Sequence, residues 1–397
     1  MRAALLLSAA IFFAAPAAFA QNNQYSSGDA TAQTEVEVDN AYDVGATAVA
    51  SGNVVSAVTE DTTTTHTNTQ HMDGDTNADA DATVWSAYGN VAITSAAVAN
   101  GGTAEVSNST VDINSSQLAH GDANAATNFT GGYAGNAGTS ASASGNVAAV
   151  SAQESEVRFL AEQESTGSIS ATVEADHGSV AYQVVSGAIA SANNLTVGSE
   201  TSTILTDTRQ TATGANVNAS VDLYAGYATD VSGNATANAN AVTIDNQWGY
   251  VNARIDQAST ANVAADSYVT LGGEFLGFAS SGAYGVGNQA IVSNVGSDTV
   301  MDVTQDNAGD ISANAATVGE GGGMALASSA AYGNSISGSL CAYCDTNAPS
   351  LNASGDQTNS GDVYATSSVR TPNAATVATT STAIGNAATY SVTGPGG

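Results

Sequence analysis

The chain has 397 residues, with five Lys plus Arg against 36 Asp plus Glu and a net charge of −31. Such a polyanion repels nucleic acid and anionic lipid headgroups, leaving cations and amine-bearing polymers as electrostatic partners. Only 10% of residues are charged and none is lysine, so chemistry that needs a basic side chain beside a carboxylate has little to draw on.

The first element is MRAALLLSAAIFFAAPAAFA. Arg2 supplies a positive start, Leu5 to Ala15 is apolar but short for a membrane span, and Ala18-Phe19-Ala20 fits a small-x-small cleavage site. Residues 1–20 therefore read as a secretory signal peptide and 21–397 as one exported domain. No cysteine follows the cut to carry a lipid, and no later stretch is long and apolar enough for a transmembrane helix.

Beyond residue 20 the composition looks low in complexity, which ordinarily means disorder. A fixed period argues otherwise. Gln24, Gln70, Gln117, Gln163, Gln210, Gln257, Gln305 and Gln357 are separated by 46, 47, 46, 47, 47, 48 and 52 residues. Gly follows four residues after each Gln except at Ala261, and Ala eight residues after each except at Asn218, giving a unit Q-x3-G-x3-A. Asn53, Asn100, Asn146, Asn193, Asn240, Asn288, Asn334 and Asn386 run in phase, 29 to 31 residues after each Gln. From Asn to the next Gln the spacing is 17 six times, then 23 across the segment that holds both cysteines.

Each unit is poor in Leu, rich in β-branched residues and alternates with period two, as at Val111 and Ile113 or Val157 and Phe159. That describes short strands joined by Gly and Asn corners. The predicted fold is all-β: a single elongated β-solenoid of eight repeats. A typical coil takes about 20–30 residues, so each unit is expected to make two coils, giving a rod of roughly 75 Å at ~4.8 Å per coil. The Gln and Asn are predicted to stack as structural ladders, each amide finding its partner in the neighbouring layer.

In the second unit, QHMDGDTNADADA (Gln70 to Ala82) concentrates acids. Asp73, Asp75, Asn77 and Asp79 have the spacing of a calcium loop, but Ala78 replaces the required Gly and Val84 the closing Glu. They stand as a weak calcium candidate, with solvated turn carboxylates as the plainer reading. His66 and His71, five residues apart, suit no common face for a metal pair. Further on, Cys341 and Cys344 form a CxxC, which in an exported chain predicts a local disulfide stapling the inserted loop. Arg158, Arg209 and Arg254 each fall just before a repeat Gln, as structural positions would. No nucleophile elbow, phosphate loop or His/Ser/Asp grouping occurs, so a non-enzymatic role is expected, with no catalytic residue and no cofactor.

Exported Ala/Thr/Asn/Gly-rich repeats with Gln and Asn in register resemble curlin-type fibre subunits, whose unit is about half this length. The signal peptide, repeats such as SGNVVSAVTE and SGNVAAVSAQ, and the near lysine-free acidic composition resemble the holdfast attachment family HfaD. That resemblance implies a surface protein anchoring a stalked bacterium's adhesive polysaccharide to its outer membrane. It also implies a small curli-like partner and a lipoprotein secretion pore, of the HfaA and HfaB type, and carries over no catalytic residues. Self-assembling fibre subunit and calcium-dependent adhesin rod are the alternative readings.

Overall fold

Apolar and small residues alternate with polar ones along every unit, and this pattern closes into three parallel sheets. The computed structural model describes residues 20–213, 216–342 and 349–394, so the predicted signal segment lies almost wholly outside the described residues. In the first unit the strands are β1 (Ala20–Ser26), β2 (Ala30–Ala41) and β3 (Val44–Glu60). Seven further units repeat the trio. All first strands form sheet A, all second strands sheet B and all third strands sheet C, each eight-stranded and parallel.

Register shows what one repeat builds. Gln24 pairs directly with Gln70, and Gln70 with Gln117. Each unit is therefore one coil, which corrects the expectation of two. Three strands of about 10, 12 and 18 residues consume the whole period, as at Glu156–Ser165, Ile169–Val180 and Gln183–Glu200. Eight coils stack to roughly 38 Å, half the predicted length.

The long sheet C strand backs both shorter sheets. Its first half packs on sheet B around Ala48, Ala80, Ile93 and Val173, and its second half on sheet A around Val106, Val111, Phe159 and Ile204. At the waist between these two cores each sheet C strand shifts phase, so that two successive residues face inward, as Ala192 and Asn193 do. The first of the pair is Gly or Ala in all eight coils. A Cβ at Gly52 would lie 2.5 Å from the Ala99 carbonyl oxygen and 2.6 Å from Met72 Sδ, which is why the residue before Asn stays small.

The waist is where the predicted ladders form. Each Gln from Gln70 onward donates its Nε2 to the Oε1 of the Gln one coil earlier, at 2.7–2.9 Å. Each Asn from Asn53 to Asn334 donates its Nδ2 to the Oδ1 of the Asn one coil later, also at 2.7–2.9 Å. The two stacks thus run with opposite polarity, and their amide dipoles oppose one another. They also lock the layers together. Gln210 Nε2 donates to the backbone carbonyl of Ala241, one residue past Asn240, and Asn240 Nδ2 donates to the carbonyl of Ala258, one past Gln257.

The corners have their own stacks. At the A–B corner a Cβ on Gly74, Gly121 or Gly167 would collide with the backbone of the coil below. The Asp that follows accepts from the next coil: Asp75 N donates to Asp29 Oδ1 at 3.0 Å and Asp122 N to Asp75 Oδ1 at 2.9 Å. The Asn218 exception is a one-residue insertion at this corner, because Ala171 pairs with Ala219 and the small position is kept. At the C–A corner, Asp61, Asn108, Glu154, Thr201 and Trp248 all take left-handed backbone, with φ of 49–63°, before the chain re-enters sheet A. No shared residue type marked that corner in the sequence.

His177 on sheet B is buried, stacks on Phe129 with ring centroids 4.5 Å apart, and its Nε2 lacks a hydrogen-bond partner. Burial favours the neutral ring and pulls its pKa down to about 4.

This interior sets the expected behaviour of its variants. Gln210→Leu leaves Gln163 Oε1 and a Gln257 N–H buried without partners and should cost about 2–5 kcal/mol. Gln357→Leu, in the last described layer where no further Gln stacks above, orphans Gln305 Oε1 but no amide N–H of a following layer and should cost less, ~1–3 kcal/mol; denaturant midpoints of the two variants compare them. For His177, an unfolded chain takes up its proton near pH 6.5 while the folded one refuses it until about 4. Its contribution to stability is therefore full above pH 6.5 and lost as pH falls towards 4, amounting to about 2 kcal/mol by pH 5. Urea unfolding at pH 7 and pH 5 should show that much less acid sensitivity in His177→Leu.

Candidate functional site

In-register stacking turns the outward positions of each sheet into rows running along the solenoid axis, and the three faces differ in chemistry. Sheet A carries Arg158, Arg209 and Arg254. Each pairs in register with an acid on a neighbouring coil: Arg158 with Asp112, Arg209 with Glu162 and Asp256, Arg254 with Asp207 and Asp302. The Arg254–Asp207 ion pair is 3.7 Å long. These cations are thus matched within the face, as their position before the repeat Gln suggests. Sheet C is nearly free of charge; its strands Asn136–Gln153, Gly321–Cys341 and Ala374–Thr393 contain no ionisable acid or base other than Tyr and Cys.

Sheet B has fewer matched acids: its one arginine, Arg370, lies in the last strand, and among the described residues the acids of its first six coils have no cation in register. One outward row reads Glu35, Asp81, Asn128, Glu174, Asp222, Tyr268. Amides space some of the acids and bond to them, as Asn128 Nδ2 does to Asp81 at 2.7 Å and Asn314 Nδ2 to Asp266 at 2.8 Å. Four to eight residues further along the chain, at the B–C corner, successive coils expose an aromatic ring. Tyr42 is 74% exposed, Trp85 75%, Tyr88 67% and Tyr182 66%, with Tyr133 and Tyr227 at 41%. Tyr224 and Tyr268 add half-exposed rings on the face itself. The result is an acidic strip edged with aromatic rings at one coil spacing, ~4.8 Å.

That combination suits a polymer with apolar ring faces and cationic groups. Exposed Tyr and Trp offer flat apolar area with a polar tip, and their faces attract cations. The adjoining carboxylates supply the countercharge.

A family model for holdfast attachment protein D (HfaD) matches residues 38–310, well over half of the chain. The chain belongs to the HfaD family. No curated protein and no solved structure matches it. The matched span contains the acidic row from Asp81 onward, all the named rings of the aromatic edge and all the matched arginines. Membership makes this a holdfast attachment protein, with the cell-surface role that such attachment entails.

The residues singled out in the sequence fall into three groups. The sixteen ladder Gln and Asn lie in two in-register stacks, most of them in the waist away from solvent. The calcium candidate is drawn apart. Asp75 Oδ1 is taken by the Asp122 amide, Asn77 Oδ1 accepts from Asn124 at 3.0 Å, and Asp79 lies on the sheet B face. Asp73 lies across the Gly74 corner from the other three and bonds elsewhere. Of the cysteines, Cys341 ends its sheet C strand as a free thiol and Cys344 lies outside the described residues, so the predicted staple is not part of the described structure.

One cluster escaped the sequence reading. His71, Asp73 and His120 converge at the A–B corner of coils two and three, with Tyr25 of coil one alongside. His71 Nε2 lies 2.7 Å and His120 Nδ1 3.0 Å from Asp73 Oδ1. The Tyr25 hydroxyl donates to Asp73 Oδ2 at 2.6 Å. That bond, with the two imidazoles, holds the Asp73 carboxyl below its usual pKa. Its signal was the period itself: subtracting one repeat of 47 places His120 on Asp73.

Proposed function

We propose that this protein anchors an adhesive polysaccharide to the outer cell surface without catalysis, binding it along the acidic, aromatic-edged strip of sheet B. The observation that carries the reading is the recurrence of an exposed ring in successive coils along a face whose carboxylates no cation matches. A polymer lying along the axis meets the same shallow contact again at each coil. Linked weak contacts of this kind raise avidity by ~10²–10⁴-fold without any deep pocket. Carboxylates and ring faces together favour a polysaccharide with free amines. Export through the general secretory route, a small curli-like surface partner and an outer-membrane pore of the HfaA and HfaB type belong to the same proposal.

Self-assembly is a second reading, favoured by the polarity of the ladders. In the last described coil Gln357 presents an Oε1 acceptor and Asn386 an Nδ2 donor; in the first, Gln24 presents an Nε2 donor and Asn53 an Oδ1 acceptor. Head-to-tail stacking of two copies would continue both ladders without reversal. If this occurs, the purified protein forms salt-resistant polymers, and Gln357→Leu with Asn386→Leu abolishes them while leaving the monomer folded.

The anchoring reading is tested in cells lacking the gene, complemented with wild type or with a Tyr42→Ala, Trp85→Ala, Tyr88→Ala, Tyr182→Ala variant displayed at equal level. Cells settle on glass, are washed, and the adhesive left behind is stained with a lectin. The deletion and the variant should both leave adhesive on the glass without cells, and polymer binding by the wild type should weaken with salt. Retention of deletion cells as firm as wild type would overturn anchoring; retention of the variant alone would overturn the strip.

A further inference from the structure

From the geometry of the A–B corner we infer that His71, Asp73 and His120 form a binding site for a divalent transition-metal ion of the Zn²⁺ class. The three donor atoms make a nearly equilateral triangle, with sides of 2.7, 3.0 and 3.1 Å. A tetrahedral ion ~2.0–2.1 Å from each donor holds its ligands about 3.3 Å apart, so the triangle need open by only a few tenths of an ångström. Two imidazoles and one carboxylate select zinc-like ions, whereas Ca²⁺ and Mg²⁺ take all-oxygen shells.

The surroundings are built for this donor set. The Tyr25 hydroxyl occupies Asp73 Oδ2 at 2.6 Å, leaving Oδ1 turned to the two nitrogens. The His71 ring is held edge-on between Tyr25 and His120, at centroid distances of 5.1 and 4.7 Å and interplanar angles of 85° and 87°. This is the outer-layer support that ligating groups require. The side chains of His71, Asp73 and His120 are each about a third exposed, at 31%, 35% and 38%. A three-ligand site so placed keeps an open coordination position towards solvent. His71 and Asp73 belong to coil two and His120 to coil three, so a bound ion ties these two layers directly, while the Tyr25 hydrogen bond holds coil one to the ligand Asp73.

The test uses the purified exported chain, stripped with chelator and titrated calorimetrically with ZnCl₂ in millimolar calcium, which saturates the general acidic surface. One saturable zinc site is expected to persist in calcium and to raise the thermal midpoint. His71→Ala with His120→Ala should abolish it, and Tyr25→Phe should weaken it about tenfold through the freed carboxylate. Co²⁺ in place of zinc should give visible ligand-field absorption that the double variant lacks. Circular dichroism in chelator establishes that the variants are folded, and His120→Gln serves if the double variant is not. Absence of saturable zinc binding in calcium, or binding unchanged in the histidine variants, would overturn the site. Neither outcome bears on the sheet B strip, whose test reads adhesion.

Discussion

Two buried stacks of side-chain amides govern this structure. A primary amide carries two N–H donors and an acceptor oxygen, and at the waist water cannot serve them. Each Gln and Asn therefore needs its counterpart in the next layer and a carbonyl on the opposite sheet, and every interior coil supplies both. A slip of one residue would turn a Gln outward and drive its charged neighbour into the core, as Glu162 or Glu164 would be beside Gln163. Alanine-rich interiors specify register weakly, because one Ala resembles another. The amides supply the specificity that the small apolar core does not.

In-register stacking also explains the unusual charge content. A parallel solenoid places the same row position of every coil one above the next at ~4.8 Å, so repeating an acid along a row sets like charges side by side. The sheet A rows answer with Arg between acids, as in Glu162–Arg209–Asp256. Sheet B answers with amides, as in Asp81–Asn128 and Asp266–Asn314. A chain that is 10% charged and rich in Asn, Thr and Ser is what eight stacked layers accommodate. Where sheet B stacks acid on acid without an amide between, as in Glu35–Asp81 and Glu174–Asp222, a cationic polymer could neutralise them.

Much of this was legible in the residues alone. The Gln and Asn positions revealed the period, the strand character and the ladder. The number of coils per unit was not legible, because a period of 47 fits two short coils or one long one equally well. What decides is the phase shift at Gly52, Ala99 and their equivalents, hidden inside an apparently continuous strand. The C–A corner left no trace because the left-handed residue is Asp, Asn, Glu, Thr or Trp by turns. The histidine cluster was missed for a different reason: its spacings of two and 49 match no local template, and only folding the sequence on its own period brings the residues together.

The same stacking bears on attachment under load. Drawing two neighbouring coils apart along the axis opposes the backbone bonds of three strand pairs and both amide ladders together. A terminal coil can instead peel one strand at a time, since solenoid stability is a sum over nearest-neighbour layers and the end layer has one neighbour. Load borne along sheet B by many coils is thus shared, whereas load on an end coil is not. An ion held by His71, Asp73 and His120 would join coils two and three, directly behind the first coil that Tyr25 ties to Asp73. The strip and the corner then meet separate mechanical requirements of attachment. On the proposed readings, one would distribute a pull along the layers and the other would fasten the two layers behind the end coil.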